Sequence, residues 1–207
     1  MTVVVAGAQL RPAQIIILIG PPGSGKSVQA ELLRKSYKVS AISMAALLKQ
    51  EMGKKTPLAK ALASSLASGE LVSDDAANQV MKGRLLRQDA GRGFILDGYP
   101  TTEEQARALD EFLSEQKFPK PVVVILEAPD SVLRERMKSR RRADDTPDNI
   151  DRRIREYRHL GAFTEKWYGS ENTVRVDGTG SVQAVALAIA QQIDNVRSKK
   201  GLILRSP

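Results

Sequence analysis

Gly20-Pro21-Pro22-Gly23-Ser24-Gly25-Lys26-Ser27 follows the apolar run Ile15 to Ile19 and precedes an amphipathic segment. This is G-x-x-x-x-G-K-[ST] between a predicted strand and a predicted helix, the setting a P-loop requires. A polyphosphate needs many N–H donors converging on it, and glycines let the backbone curl that closely. The start of the following helix adds unpaired N–H groups and a partial positive charge. Lys26 supplies a mobile full charge for the outer phosphates, and Ser27 offers a hydroxyl to Mg²⁺.

Outward from this loop the chain reads as alternating strands and helices. Strand-like runs cover Ile15 to Ile19, Val39 to Ile42, Phe94 to Leu96, Val122 to Leu126 and Thr173 to Val176. Helical patterns cover Ser27 to Ser36, with Val28, Leu32 and Leu33 on one side, and Asp74 to Gln88, carrying Val80, Leu85 and Leu86. Thr102 to Gln116, opened by the capping signal Thr101-Thr102-Glu103-Glu104, comes next. Ser131 to Arg140, Asp148 to Trp167 and Ser181 to Arg197 follow. Apolar strands without polar alternation, separated by helices, predict a parallel sheet covered on both faces. The class is α/β, a three-layer P-loop NTPase fold. Met44 to Gln88 is too long for one crossover helix and predicts a small helical insert. Residues 1–13 read as a loose leader, 14–197 as one domain, and 198–207 as a frayed tail.

Composition narrows the function classes. The chain has 207 residues, no Cys and one His. Disulfides, thiolate metal sites and thiol catalysis are therefore excluded. No apolar run approaches the roughly 20 residues of a membrane helix, so no membrane partner is expected, and the cytoplasm is the default compartment. The net charge is +8, and nine Arg and one Lys lie between Arg134 and Arg158 against six acids. A nucleic-acid reading finds no aromatic interleaving before Tyr157 and no binding motif. With a P-loop upstream, these arginines more simply converge on the phosphates of a small nucleotide. Asp97 ends an apolar strand, where a carboxylate can hold Mg²⁺ through water.

Over about residues 14–195 the chain resembles adenylate kinase and the wider nucleoside monophosphate kinase family. The resemblance rests on an ordered set: Gly20-Pro-Pro-Gly-Ser-Gly-Lys26, Ile42-Ser43, Gly69-Glu-Leu-Val72-Ser-Asp74, and Gly93-Phe-Ile-Leu-Asp97-Gly98-Tyr99-Pro100. Arg136-x3-Arg140, Arg142-Ala-Asp144-Asp145, Arg153-x2-Glu156-Tyr157 and Val176-Asp177-Gly178-Thr179 complete it. It implies a five-stranded parallel core with two mobile inserts. One, about 43–73, closes over an acceptor monophosphate; the other, a very short lid at about 137–146, closes over ATP. The implied reaction is Mg·ATP + NMP giving ADP + NDP, with AMP the leading acceptor, carried out by a monomer on small-molecule nucleotides.

The resemblance also implies residue roles. Pro22, Gly23, Ser24, Gly25, Lys26, Ser27 and Val28 would hold ATP, with Arg136 and Arg140 gripping it at the hinge and lid. Arg142 and Arg153 would bridge both nucleotides across the transferring group. With Lys26, these four arginines form the expected catalytic set. Ser27 and Asp97 would hold Mg²⁺. The acceptor would meet Ser43, Met44, Lys49, Val72, Gly98, Thr101 and Gln105, the last at the position that reads the base.

The acceptor half departs from the family pattern. Where the family has Ile-Ser-Thr-Gly-Asp-hydrophobic-Leu-Arg, this chain has Ile42-Ser43-Met44-Ala45-Ala46-Leu47-Leu48-Lys49. Where the family follows the Asp-Gly-aromatic-Pro segment with Arg, this chain has Thr101. Ser27 and Val28 replace the family's Gly-Thr. These departures leave a second reading open: a nucleotide-binding protein of this fold with a decayed acceptor site and little or no transfer.

Overall fold

The computed structural model describes residues 14–67, 72–140 and 146–199. The expected leader 1–13, the tail from 200, and Arg142 with the rest of 141–145 lie outside the described residues.

Five parallel strands form one sheet in the order β2-β3-β1-β4-β5: β1 Gln14–Ile19, β2 Ser40–Ser43, β3 Gly93–Asp97, β4 Val122–Glu127 and β5 Thr173–Asp177. Every pairing is parallel. Their sequences explain this: Ile15 to Ile19, Phe94 to Leu96 and Val122 to Leu126 are buried throughout. A strand buried on both faces needs helices above and below, which only crossover connections provide.

Alternation within each strand builds two cores. Ile15, Ile17, Phe94, Leu96, Val123 and Ile125 face one side of the sheet. There they pack on Met81 and Leu85 of α4 (Asp74–Leu85) and on Leu109, Phe112 and Leu113 of α5 (Glu103–Glu115). Ile16, Leu18, Ile95, Val122, Val124 and Leu126 face the other. They meet Ala30 and Leu33 of α1 (Lys26–Tyr37) and Val185, Ile189 and Ile193 of α8 (Val182–Lys199). Each fully buried Ile, Leu or Val contributes roughly 1.5–3 kcal/mol. A third cluster joins α6 (Asp130–Ser139) to α7 (Pro147–Tyr168) through Leu133, Met137, Ile150 and Ile154.

Between β2 and α4 lie two short helices, α2 (Met44–Met52) and α3 (Pro57–Ala67). A single turn of 3₁₀ helix at Gln88–Ala90 leads into β3. The long helical stretch predicted there is thus three helices, and the third stops at Leu85, not Gln88.

Two predicted apolar faces are corrected. On α1 the buried residues are Gln29, Ala30 and Leu33, while Val28 is 51% exposed. On α4 they are Ala77, Met81 and Leu85, while Leu86 is 60% exposed. The cause is common to both. Each helix turns the side carrying its small or flexible residues to the sheet, and neighbouring apolar positions sit about 100° away.

β1 pairs with β3 on one side and β4 on the other. The chain leaves β1 toward β2 and β3 and returns across it to β4. This reversal opens a crevice at the carboxyl ends of the strands, where α/β sheets bind ligands. Among the described residues no helix is long and apolar enough to cross a membrane.

Candidate active site

The P-loop fills that crevice. Gly23 and Gly25 have φ of +89° and +96°, a left-handed conformation that disfavours a side chain. A Cβ on Gly20 would stand 2.5 Å from the Ser24 hydroxyl oxygen. Gly25 precedes α1 as its cap and supplies no side chain, so the first N–H groups of the helix are not capped from within. The Ser24 hydroxyl is buried and has no hydrogen-bond partner. A buried hydroxyl left unpaired in a loop of turned-in amides is what a phosphate oxygen would satisfy.

Lys26 folds back over the loop. Its ammonium donates to the Gly20 carbonyl and, at 3.2 Å, to the Pro21 carbonyl. Burial pushes its pKa below the usual lysine range; Asp97 opposes that shift and Arg140 adds to it. Ser27 donates its hydroxyl to the Asp97 carboxylate at 2.8 Å. Register explains the meeting: Asp97 aligns with Leu18 of β1 and with Ser43 of β2, so it emerges at the crevice edge beside the loop.

Arg136 ties the loop to the other half of the sheet. Its guanidinium donates to the carbonyls of Gly178 (2.8 Å), Thr179 (3.3 Å) and Gly23 (3.4 Å). Gly178 in turn donates its N–H to the Glu127 carbonyl at 2.7 Å. The arginine thereby positions the β5–α8 turn against the P-loop. Arg140 follows the end of α6, exposed and within electrostatic reach of Lys26. Arg153 lies half-buried on α7. Val28 is on the exposed face of α1. A cavity of about 650 Å³ opens alongside, lined by Pro21, Leu133, Tyr157, Arg175 and Thr179 among others.

The expected acceptor residues lie at the end of β2 and on α2, just before α4, and on the connection from β3 into α5. Ser43 is the extended residue that starts α2, and Met44 is buried beside Gly98, 3.9 Å from where a Cβ there would sit. Lys49 is exposed on α2, and Val72 is half-buried. Gln105 is 6% exposed. Its carboxamide oxygen accepts from the Thr101 N–H (2.8 Å) and the Thr101 hydroxyl (3.0 Å), and its nitrogen donates to Asp74 (2.7 Å). Tyr99 donates to Asn78 and to the Gln105 backbone carbonyl.

Of the expected donor-side residues, the structure brings Lys26, Ser27 and Asp97 together. The sequence reading missed Asp74, named above only in the Gly69-to-Asp74 motif and at the start of a helical stretch, as a partner of Gln105. It also missed Gln29, which donates to the Val182 carbonyl and fastens α1 to α8. A buried Gln on the sheet-facing side of α1 was the available signal. At the end of α7 Tyr168 is buried, and the Trp167 indole donates to Asp110 at 2.9 Å.

A model of the adenylate kinase family matches residues 18–172. The chain is 38% identical over 181 residues to an adenylate kinase of Prochlorococcus marinus (strain MIT 9313), covering 87% of this chain and 98% of that one. It is 39% identical over 180 residues to an adenylate kinase of Xylella fastidiosa (strain M12), covering 84% and 96%. An adenylate kinase of Stenotrophomonas maltophilia (strain K279a) is 36% identical over 183 residues, covering 86% and 98%.

Proposed function

This chain belongs to the adenylate kinase family, and from that premise we propose how its own residues carry out the reaction. The activity is phosphoryl transfer from ATP to a nucleoside monophosphate, ATP + AMP giving 2 ADP. The observation that carries the residue assignment is the convergence of Lys26, Ser27 and Asp97 on one point of the crevice, under the loop that starts α1.

Phosphoryl transfer asks for positioning and charge stabilisation more than covalent help. Gly23, Ser24 and Gly25 cradle the donor phosphates through backbone N–H groups, Pro22 borders them without an N–H of its own, and the Ser24 hydroxyl gains a partner there. Lys26 releases the Gly20 and Pro21 carbonyls and turns its ammonium to the outer phosphates. Val28, exposed at the start of α1, borders that cradle. Arg136 and Arg140 hold the donor from the α6 side, and Arg142 and Arg153 reach the transferring group between the two nucleotides.

Ser27 and Asp97 fit a hard divalent cation: both offer oxygen, and they already lie within hydrogen-bond distance. Among the described residues no group of three or more His, Cys, Asp or Glu could cage a metal alone. Mg²⁺ keeps most of its waters and shares its remaining positions with substrate phosphates, so two protein oxygens suffice. Bound there, Mg²⁺ would neutralise charge on the phosphate oxygens.

For the acceptor, Ser43, Met44, Lys49, Val72, Gly98, Thr101 and Gln105 line the opposite wall. Segments 43–73 and 137–146 close over acceptor and donor respectively, excluding water so that transfer outruns hydrolysis. In this reading the chain works as a cytoplasmic monomer on nucleotides alone, without nucleic acid or membrane. Nucleotide binding without transfer is not favoured by relatives that are themselves adenylate kinases.

A coupled assay across AMP, CMP, UMP, GMP and the deoxy forms tests the proposal. AMP should be phosphorylated well above the rate of ATP hydrolysis. No turnover above hydrolysis with any acceptor would overturn it.

A further inference from the structure

The Gln105 carboxamide has its orientation set from both ends. A backbone N–H can only donate, so the atom facing Thr101 N must be oxygen. A carboxylate accepts, so the atom facing Asp74 is nitrogen. A carbonyl oxygen has two lone pairs, and here Thr101 uses both, one with its N–H and one with its hydroxyl. The amide nitrogen has two hydrogens, and Asp74 takes one. What Gln105 has left to offer is a single N–H donor.

Taking the acceptor reading above, in which Gln105 meets the base, we infer that Thr101 is a specificity-determining residue of the acceptor pocket. Its hydroxyl withdraws the Gln105 carbonyl oxygen from base recognition, so the pocket separates 6-amino from 6-oxo purine monophosphates poorly.

The reason lies in the two base edges. The adenine edge presents a ring nitrogen that accepts and an amino group that donates. A carboxamide with a free oxygen matches both at once. The hypoxanthine edge reverses them: its ring N–H donates and its oxo group accepts. With the Gln105 oxygen filled, each base forms one hydrogen bond, to the remaining N–H. The adenine amino group and the hypoxanthine ring N–H are both left without Gln105. A buried site discriminates strongly only where the wrong ligand leaves a polar group unpaired that the right one would satisfy. Here that contrast is reduced. Thr101 itself is exposed, so a substitution there leaves the core untouched.

The test compares kcat/KM for AMP and inosine monophosphate, at saturating Mg·ATP, in the native chain, Thr101→Val and Thr101→Ser. Valine keeps the backbone N–H and the side-chain shape but frees one lone pair of the Gln105 oxygen. The ratio of AMP to inosine monophosphate should rise about three- to tenfold in Thr101→Val, the worth of one hydrogen bond. Serine keeps the hydroxyl and should keep the native ratio. A merely structural role for Thr101 would depress both acceptors alike and leave the ratio still. An unchanged ratio in Thr101→Val, or a Thr101→Ser ratio that moves with it, overturns the inference while leaving the acceptor reading intact. If the native chain phosphorylates neither nucleotide, the acceptor reading falls and this inference falls with it.

Discussion

The Ser27 hydroxyl donates to the Asp97 carboxylate at 2.8 Å, joining the P-loop to the end of β3 across 70 residues of sequence. The family places its P-loop hydroxyl one position later, where this chain has Val28 on the open face of α1. In the proposed reading, the hydroxyl at Ser27 is therefore the one that would serve a metal held by Asp97.

Ser27→Ala removes that hydroxyl and one hydrogen bond to a charged group. Such a bond is worth about 1.5–3 kcal/mol, so kcat should fall about ten- to a hundredfold. The Mg²⁺ concentration for half-maximal activity should rise with it. A titration of activity against Mg²⁺ checks this; an unchanged midpoint would remove Ser27 from the metal site.

Lys26 gives a pH test. Burial holds its pKa below the ordinary 10.5. Between the lowered value and 10.5 the unfolded chain binds more protons than the folded one, so this group makes the ligand-free protein more stable as pH rises. Lys26→Met abolishes that term and should lower kcat by about a hundredfold or more, as losing a preorganised electrostatic donor does. Urea unfolding of both proteins at several alkaline pH values isolates the difference. The native chain should gain stability relative to Lys26→Met as pH rises; parallel curves would contradict the assignment.

Neither Lys49 nor Thr101 can offer the planar, two-pronged grip that arginine gives a phosphate. Lys49 is exposed on α2, and Thr101 is engaged with Gln105. Lys49→Arg combined with Thr101→Arg should lower KM for AMP about ten- to a hundredfold, the scale of one charge-assisted contact. KM for ATP should hardly move. A KM for AMP that stays constant would show that neither position meets the acceptor phosphate.

Asp110 links α5 to α7 by accepting from the Trp167 indole at 2.9 Å. Burial raises its carboxyl pKa, while the Trp167 hydrogen bond and Lys120 oppose the shift. A raised folded pKa means that stability is full below 3.8 and is lost as pH climbs through the raised value. Asp110→Asn keeps an oxygen for the indole and drops the charge. Its melting temperature should exceed that of the native chain at pH 7, with the gap closing in acid. The single tryptophan reports both transitions by fluorescence.

The sheet was readable because Ile15 to Ile19, Phe94 to Leu96 and Val122 to Leu126 are unbroken apolar runs, and only a doubly covered parallel strand accommodates such runs. The donor side was readable because the P-loop is contiguous and Asp97 ends a strand that register carries to it. The faces of α1 and α4 were misread at Val28 and Leu86, since periodicity marks a stripe without saying which edge of it meets the sheet. The Asp74–Gln105–Thr101 network was invisible for another reason. Its Asp74–Gln105 bond depends on the start of α4 lying against the start of α5, a tertiary fact that no local pattern encodes.

The most direct measurement supplies Mg²⁺ and ADP alone and follows all three nucleotides by chromatography. A site that passes a phosphoryl group between nucleotides must run backward, so ATP and AMP should appear in equal amounts, free phosphate should stay negligible, and the mixture should approach the ratio reached from ATP and AMP. Release of phosphate without ATP, or no change in ADP, would contradict a two-nucleotide transfer site built on Lys26, Ser27 and Asp97.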